Sequence, residues 1–284
     1  MIKRLSTTLF RILLLLALPT SATWSESEPV FQVFVSVEPL RYLTERVGGP
    51  HVTVETMIAP GENPATYAPS PRKMARLHHA AMLVYVGVPS ERTWLPRIRR
   101  NHPDVRLVDA RKGIPPRRHQ HDGHDDIDPH LWTSPITSLR MAATIRDALI
   151  DIDPLHRADY ERGYRRLATT LEMLDREIAA RLAGLPQRRF MVFHPAWGYF
   201  AERYGLEQIA IERGGKSPGM RHLSRLIDEA RGAGIRTIIV QPQFSRRDAE
   251  TIAAEIGARV VAIDPLAYDI PATLRRLTEA LSRP

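Results

Sequence analysis

Histidine and aspartate residues are concentrated in one segment, HQHDGHDDIDPHLW (119–132), which holds four of each. Imidazole nitrogens and carboxylate oxygens are metal ligands in proteins, and since the chain has no cysteine, any metal site must use them or neutral oxygen ligands. The segment is too polar and glycine-containing to pack into a core. It therefore predicts a mobile loop, on which His119, His121 and His124 could bind zinc weakly. His130 stands apart from these three.

Three side chains are candidates for a fixed site. His130 precedes a helix expected near Pro135, His194 directly follows the apolar run FMVF, and Asp264 closes the run VVAI. Taken singly, each histidine would more often be a cap or a core residue. Because each candidate stands at the end of a separate predicted strand, the three together indicate a metal site. Two imidazoles with a carboxylate suit zinc, with manganese or iron as alternatives.

Eight short apolar runs rich in β-branched residues are predicted to form the strands that position these side chains. They cover residues 30–37, 51–58, 81–88 and 105–110 in the first half and 188–193, 206–211, 235–240 and 259–264 in the second. Runs that are short and do not alternate are typical of strands buried on both faces. Helical patterns lie between several of them, at 38–47, 70–80, 219–232 and 246–257. Alternation of strand and helix predicts an α/β fold with one parallel sheet in each of two lobes.

A long helix is predicted to join the lobes. Its apolar face recurs at intervals of three or four residues, at Leu167, Leu171, Leu174, Ile178 and Leu182. Asp153 and Pro154 are typical of an N-cap followed by a first-turn proline. A helix from Pro154 to Leu182 would be about 43 Å long.

Polar residues recur where the predicted strands end. Glu38 follows the first run, and the loop PGENPATYAPSP (60–71) follows the second. Ligands of parallel α/β sheets bind outside the carboxyl ends of the strands. Residues from both lobes are therefore expected to meet in a cleft between them.

The first 22 residues have the features of a signal peptide. Three basic residues accompany a short apolar run, Ile12 to Leu18, and small residues follow up to Ala22, where cleavage is expected. The run is too short to span a bilayer. Because the chain has no cysteine, no lipid can be attached after export. We therefore expect an exported, soluble protein of a bacterial periplasm.

The basic residues are scattered along the chain. The formal net charge is +8, and three of the positive charges belong to the signal peptide. The arginine pairs that remain are not interleaved with aromatic residues. Nucleic-acid binding would need a basic patch or stripe, so no nucleic-acid partner is expected.

Taken together, these features resemble the cluster A-I substrate-binding proteins of ABC transporters, the family that captures zinc and manganese. The resemblance covers essentially the whole mature chain and rests on PGENPATYAPSP, DPHLW, FHPAWGYFAERYGL, GGKSPG, QPQFS and IDPL. It implies a two-lobed α/β fold with a backbone helix and a metal site in the cleft. It also implies that the cargo is Zn²⁺, with Mn²⁺ possible, and that the partner is a membrane permease.

The family places four metal ligands between its lobes. The resemblance assigns the second to His130, the third to His194 and the fourth to Asp264, and a histidine in the third place is similar to the zinc-type members. The first ligand is normally the histidine of a PH-x-Y motif. Here the motif reads Pro64-Ala65-Thr66-Tyr67, and Ala65 cannot coordinate a metal.

This departure leaves several interpretations open. Water, Glu38 or Glu62 could fill the fourth place, or the place could admit a metal chelate or another small ligand. Three protein ligands with an open position also describe catalytic zinc, so a periplasmic zinc hydrolase with Glu38 or Glu62 as general base is a rival from another class. The chain has no HExxH motif. We therefore expect no enzymatic activity.

The expected organisation follows from these features. It comprises a signal peptide (1–22), an N-terminal lobe (29–134) with a histidine-rich loop (117–126), a linking helix (135–185) and a C-terminal lobe (186–284). We expect a monomer whose partners are a divalent metal ion and an ABC permease.

Overall fold

The computed structural model describes residues 30–121, 124–212, 218–244 and 246–283. The predicted signal peptide lies outside these residues. In the part of the chain that is described, no helix is long and apolar enough to cross a membrane.

The N-terminal lobe is a four-stranded parallel sheet with helices between its strands. Its elements are β1 (Phe31–Val35), α1 (Glu38–Gly48), β2 (Val52–Thr56), α2 (Pro71–Leu77), β3 (Met82–Tyr85), α3 (Glu91–Asn101) and β4 (Arg106–Asp109). The strand order is β2-β1-β3-β4, and every neighbouring pair is parallel. The central strands β1 and β3 are buried on both faces, as their apolar sequences predict. All four strands predicted for this half are confirmed.

A hairpin follows the N-terminal sheet where a mobile loop was expected. Strands β5 (Arg118–His121) and β6 (His124–Ile127) pair antiparallel, with His121 opposite His124. Asp122 and Gly123, which connect them, lie outside the described residues. Asp-Gly is a favoured dipeptide of two-residue hairpin turns, and this signal in the sequence was overlooked.

Two packed helices join the lobes in place of one. Helix α4 (Pro135–Ile152) is followed by a short 3-10 turn, Pro154–His156, and by the 26-residue helix α5 (Arg157–Leu182). Asp153 holds the N-cap position of the 3-10 turn with Pro154 in its first turn, as predicted, and its carboxylate accepts a hydrogen bond from the Tyr160 hydroxyl (2.6 Å) and lies 2.6 Å from His156 Nδ1. The predicted apolar face of α5 is buried at all five positions.

The C-terminal lobe repeats the architecture of the first. Its elements are β7 (Arg189–Val192), α6 (Gly198–Arg203), β8 (Glu207–Ala210), α7 (Met220–Gly232), β9 (Thr237–Val240), α8 (Arg247–Ile256), β10 (Arg259–Ala262) and α9 (Ile270–Ser282). The order is β10-β9-β7-β8, and the sheet is entirely parallel. Strand β7 therefore lies between β8 and β9, which places the residues following β7 between those following its two neighbours.

A single apolar core connects the two lobes through the linking helices. It contains residues of the N-terminal sheet, one face of α5, and residues of β7 such as Phe190 and Val192. Met191 on β7 and Phe193, which directly follows β7, face a second core within the C-terminal lobe. Helix α5 contacts α4, α1 of the N-terminal lobe and α9 of the C-terminal lobe, so it packs against both lobes.

Candidate metal centre

Two of the three candidate ligands lie beyond the carboxyl ends of parallel strands, and the third follows the hairpin. His194 is two residues past the end of β7, and Asp264 is two residues past the end of β10. His130 follows the hairpin and directly precedes a 3-10 turn, Leu131–Thr133, that leads into α4. Each lobe therefore brings part of the candidate site to the cleft.

The structure brings the two histidines together. The ring centroids of His130 and His194 are 5.3 Å apart, and the ring planes are inclined by 73°. Two imidazoles on one tetrahedral zinc, with Zn–N bonds of about 2.0–2.1 Å, have centroids about 5 Å apart. The side chains are 13% and 29% exposed, so a metal ion could reach both from the cleft. Their spacing therefore fits shared coordination of one ion.

The register of the C-terminal sheet determines the surroundings of His194. Val192 on β7 pairs with Ala210 on β8, and continuing this register by two residues places His194 beside Glu212. The pairing continues past the strand ends, since the Glu212 N–H donates to the Phe193 carbonyl (3.0 Å). His194 Nδ1 consequently lies 2.6 Å from Glu212 Oε1.

The other neighbouring strand contributes a glutamine. Val192 pairs with Ile239 on β9, so the same extension places His194 beside Gln241, which is buried. The His194 N–H donates to Gln241 Oε1 (3.1 Å), and Gln241 Nε2 donates to the His194 carbonyl (2.7 Å). The Phe244 ring stacks on the imidazole at 5.1 Å between centroids. His194 is therefore restrained through its backbone, its Nδ1 atom and its ring face.

His130 obtains a carboxylate partner from its own loop. Its backbone N–H donates to Asp128 Oδ1 (3.0 Å), and its ring Nδ1 lies 2.8 Å from the same oxygen. Asp128 is completely buried, and its other oxygen is 3.2 Å from Arg117 Nη1. The imidazole of His130 is thus oriented by a carboxylate that is itself paired.

These contacts assign the metal-binding nitrogen of each imidazole. An ionised carboxylate can only accept, so the Nδ1 atoms of His130 and His194 must carry the protons that they donate to Asp128 and Glu212. A neutral imidazole then has its lone pair on Nε2, and a metal would bind there. Carboxylate–histidine pairs of this kind fix the tautomer and ring orientation of zinc-ligating histidines. Both imidazoles therefore have the arrangement expected of metal ligands.

Asp264 is also anchored through one of its two oxygens. Its Oδ1 accepts hydrogen bonds from Gln243 Nε2 (3.0 Å) and from the Leu266 N–H (2.9 Å). Within the described chain both bonds fall on Oδ1, which leaves Oδ2 as the oxygen for a metal. Among the described residues, however, no three His, Asp or Glu side chains converge closely enough to hold an ion together. The two histidines thus form a pair, and Asp264 stands apart from it.

A hydrogen bond between the lobes controls the spacing of the ligand-bearing loops. The indole N–H of buried Trp132, two residues after His130, donates to the carbonyl of Pro265 (2.6 Å), which directly follows Asp264. The indole also packs edge-on against the His130 ring, with 5.4 Å between centroids. The loops that carry His130 and Asp264 are therefore joined within the protein itself.

The base of the hairpin is also tied to the C-terminal lobe. The Tyr199 hydroxyl on α6 accepts from the Arg117 N–H (3.0 Å) and donates to the Asp128 carbonyl (3.4 Å). Gly198 lies against this junction so closely that a Cβ atom there would overlap Arg117 and Asp128. A glycine is therefore needed at the start of α6.

The loop that carries Ala65 contains no imidazole. Ala65 is exposed, and its N–H donates to Asn63 Oδ1 (2.9 Å) in a local turn. The Ser90 N–H donates to the Pro64 carbonyl (3.2 Å) and joins this loop to the one after β3. Tyr67 is half-buried, and burial raises its pKa to about 12.

The two glutamates proposed as alternatives lie in different settings. Glu62 is exposed, and its Oε2 accepts from the Ala59 N–H (2.7 Å), which makes it part of the turn. Glu38 is buried at the first turn of α1, with Arg41 Nη1 at 3.7 Å from its Oε2. A role for either glutamate as a ligand remains a prediction.

Sequence reasoning missed four residues of this centre: Asp128, Glu212, Gln241 and Trp132. Asp128 had a local signal, because a carboxylate two residues before a histidine can accept from both its N–H and its ring. Glu212 and Gln241 had none, because they are 18 and 47 residues from His194 and meet it only through strand register.

Residues 33–281 match the family described as zinc-uptake complex component A, periplasmic. A protein of Treponema pallidum (strain Nichols), described as a candidate metal-binding protein, is 30% identical, and the alignment covers 87% of this chain and 82% of that protein. The zinc-binding lipoprotein AdcA of Streptococcus pneumoniae is 25% identical over 85% of this chain, which spans only 51% of AdcA. A crystal structure of ZnuA superimposes with a TM-score of 0.85 at 36% identity, covering 89% of this chain and 98% of that one.

Proposed function

The chain belongs to the family of periplasmic zinc-uptake component A, and from this membership we propose that it captures Zn²⁺ between its lobes and delivers it to an ABC permease for import. One observation carries the proposal for this chain's own residues. The ring centroids of His130 and His194 lie 5.3 Å apart, and the Nδ1 atom of each ring is hydrogen-bonded to a buried carboxylate. This arrangement leaves their Nε2 atoms to coordinate one metal ion.

The proposed ligands are His130 Nε2, His194 Nε2 and Asp264 Oδ2. Gln243 and the Leu266 N–H hold Asp264 through its other oxygen, which suits coordination through a single oxygen. We propose that the Asp264 loop approaches the two histidines when the ion binds and so completes the triad. Water fills the fourth position that Ala65 leaves, because zinc prefers four ligands.

Zinc is the proposed cargo, in preference to manganese. Two imidazoles and one carboxylate are a typical zinc set, whereas manganese favours carboxylate, carbonyl and water oxygens. Competitive titration of the purified protein with Zn²⁺ and Mn²⁺ tests this choice. Tighter binding of Mn²⁺ would reassign the cargo without changing the site.

The protein is proposed to bind and release its cargo without catalysis. A zinc hydrolase would need a general base next to the open position. Glu62 is engaged with the Ala59 backbone, and Glu38 lies beside Arg41. We expect no zinc-dependent hydrolysis of esters, peptides or phosphates. Hydrolysis abolished by Glu38→Gln or Glu62→Gln would contradict this proposal.

The proposed form is a monomer exported by a signal peptide and free of a lipid anchor. All three proposed ligands come from one chain, so a second copy is not needed to build the site. The chain has no cysteine to which a lipid could be attached. Mass determination of the exported protein would detect cleavage near Ala22.

The ligand set is tested by removing its members singly. Replacing His130, His194 or Asp264 by alanine should weaken stoichiometric zinc binding at least tenfold, which corresponds to about 1.4 kcal/mol. Affinities come from competition with a chromophoric chelator. Exposed Arg231→Ala, on α7, serves as the control. Unchanged affinity in all three variants would refute the proposed site.

A further inference from the structure

Glu212 is a buried carboxylate of which only one oxygen is used. Its side chain is 3% exposed, and Oε1 lies 2.6 Å from His194 Nδ1. Its Oε2 is buried and has no hydrogen-bond partner among the described residues. Among the described residues, no arginine or lysine forms an ion pair with Glu212. The titratable side chain that Glu212 contacts is His194.

Asp128, the corresponding partner of His130, is placed differently. Its Oδ1 accepts from the His130 N–H and lies beside the ring Nδ1, while Oδ2 faces the Arg117 guanidinium at 3.2 Å. The negative charge of Asp128 is therefore offset within the protein. In the part of the chain that the structure describes, no arginine or lysine offsets the charge of Glu212 in this way.

Burial of an unpaired charge is unfavourable. Removing a carboxylate from water destabilises the folded protein unless hydrogen bonds or an opposite charge compensate for the lost hydration. Glutamine has nearly the same shape, and its side-chain oxygen could accept the same bond from His194 Nδ1 at a lower desolvation cost. Support for the His194 ring alone would therefore not require the charge of Glu212.

We propose that Glu212 is the positioning residue for His194 and that its buried negative charge, which no described arginine or lysine offsets, is compensated when a divalent cation binds His194 Nε2. The inference rests on the proposed function and names a residue that determines the affinity of the same site. The charge lowers the stability of the metal-free protein and favours the metal-bound form.

Removal of the charge should consequently have opposite effects on the two states. Glu212→Gln is expected to raise the melting temperature of the chelator-treated protein by about 2 °C or more. The same variant should weaken zinc binding about 10- to 100-fold, the range found for carboxylates that support zinc-ligating histidines. A role confined to folding would not produce a more stable protein with weaker metal binding.

The experiment compares four proteins by thermal melting, with and without zinc, and by chelator competition. They are the wild type, Glu212→Gln, Glu212→Asp and the control Asp175→Asn. Glu212→Asp keeps the charge but has a shorter reach, so its metal-free melting temperature should not exceed that of the wild type.

Asp175 provides a matched control because it is also a buried carboxylate. It is paired with Arg203 Nη2 (2.5 Å) and accepts from the Tyr204 hydroxyl (3.0 Å), away from the metal centre. Asp175→Asn should lower the melting temperature and leave the zinc affinity unchanged.

Two results would overturn the inference. One is wild-type zinc affinity in Glu212→Gln; the other is a metal-free melting temperature below that of the wild type. If Glu212→Gln fails to fold, ¹⁵N NMR of the histidine rings in the wild type gives the answer, since zinc on His194 Nδ1 would exclude the proposed role. A wild type without stoichiometric zinc binding would instead refute the proposed function itself.

Discussion

The two halves of the candidate metal centre hold equivalent imidazoles by different means. In the N-terminal half, His130 receives its carboxylate from two residues away, and that carboxylate is neutralised by Arg117. In the C-terminal half, His194 receives its carboxylate from a neighbouring strand, and no described cation offsets it. Both imidazoles are thus oriented by a carboxylate. The carboxylate of Asp128 is paired with Arg117, whereas that of Glu212 is paired with no described arginine or lysine.

The difference separates two tasks that a metal site must perform. The N-terminal half is continuous with contacts between the lobes, through Tyr199 to Arg117 and through Trp132 to Pro265, so it maintains the geometry of the cleft. The C-terminal half contributes the electrostatic attraction for a cation. Substitutions in the N-terminal half should lower both the stability of the protein and its zinc affinity. Substitution of Glu212 should lower the zinc affinity while raising the stability of the metal-free protein.

Asp128→Asn should have the largest effect and should break the N-terminal half. It leaves Arg117 without its buried counterion and weakens the hold on the His130 ring. Breaking a buried pair costs 3–5 kcal/mol; because Arg117 is partly exposed, we expect the free energy of unfolding to fall by about 2 kcal/mol. Zinc binding should weaken about 10- to 100-fold.

Denaturant unfolding and chelator competition measure these two quantities for Asp128→Asn. The metal-free protein should be less stable than the wild type, opposite in sign to Glu212→Gln. An increase in stability would show that the two carboxylates are equivalent, and the contrast between the halves would then be wrong.

Ala65→His should have a smaller effect and tests the open position that both halves face. A fourth imidazole is expected to tighten zinc binding by up to about tenfold, since the displaced water offsets part of the gain. Competition titration measures the change, with Thr66→His as the control one residue away. No tightening would indicate that the loop after β2 directs residue 65 away from His130 and His194.

Shortening the hairpin should have the smallest effect on the tight site. Arg118 pairs with Ile127, so residues 119–126 can be replaced by an Asn-Gly turn that keeps this pairing. Arg117 and Asp128 are retained, and we expect unchanged tight zinc binding with loss of any weaker, additional zinc. Loss of the tight site would mean that the hairpin itself supplies a ligand.

The sequence determined the elements of the fold because their signals are local. Short apolar runs rich in β-branched residues predicted all eight strands of the two parallel sheets. A spacing of three or four residues predicted the buried face of α5. Asp153 and Pro154 begin the helical segment as predicted, but its first turn is 3-10, so the regular α-helix begins at Arg157.

The sequence also located His194 and Asp264 just past the ends of parallel strands, since such strands present their following residues at one edge of a sheet, whereas His130 follows the hairpin. Only the tertiary structure decided what surrounds them. Strands β7, β8 and β9 are far apart in the chain, and one particular register places Glu212 and Gln241 on either side of His194. Sliding either neighbouring strand by one residue would leave every local signal unchanged and remove these partners, because register depends on long-range packing.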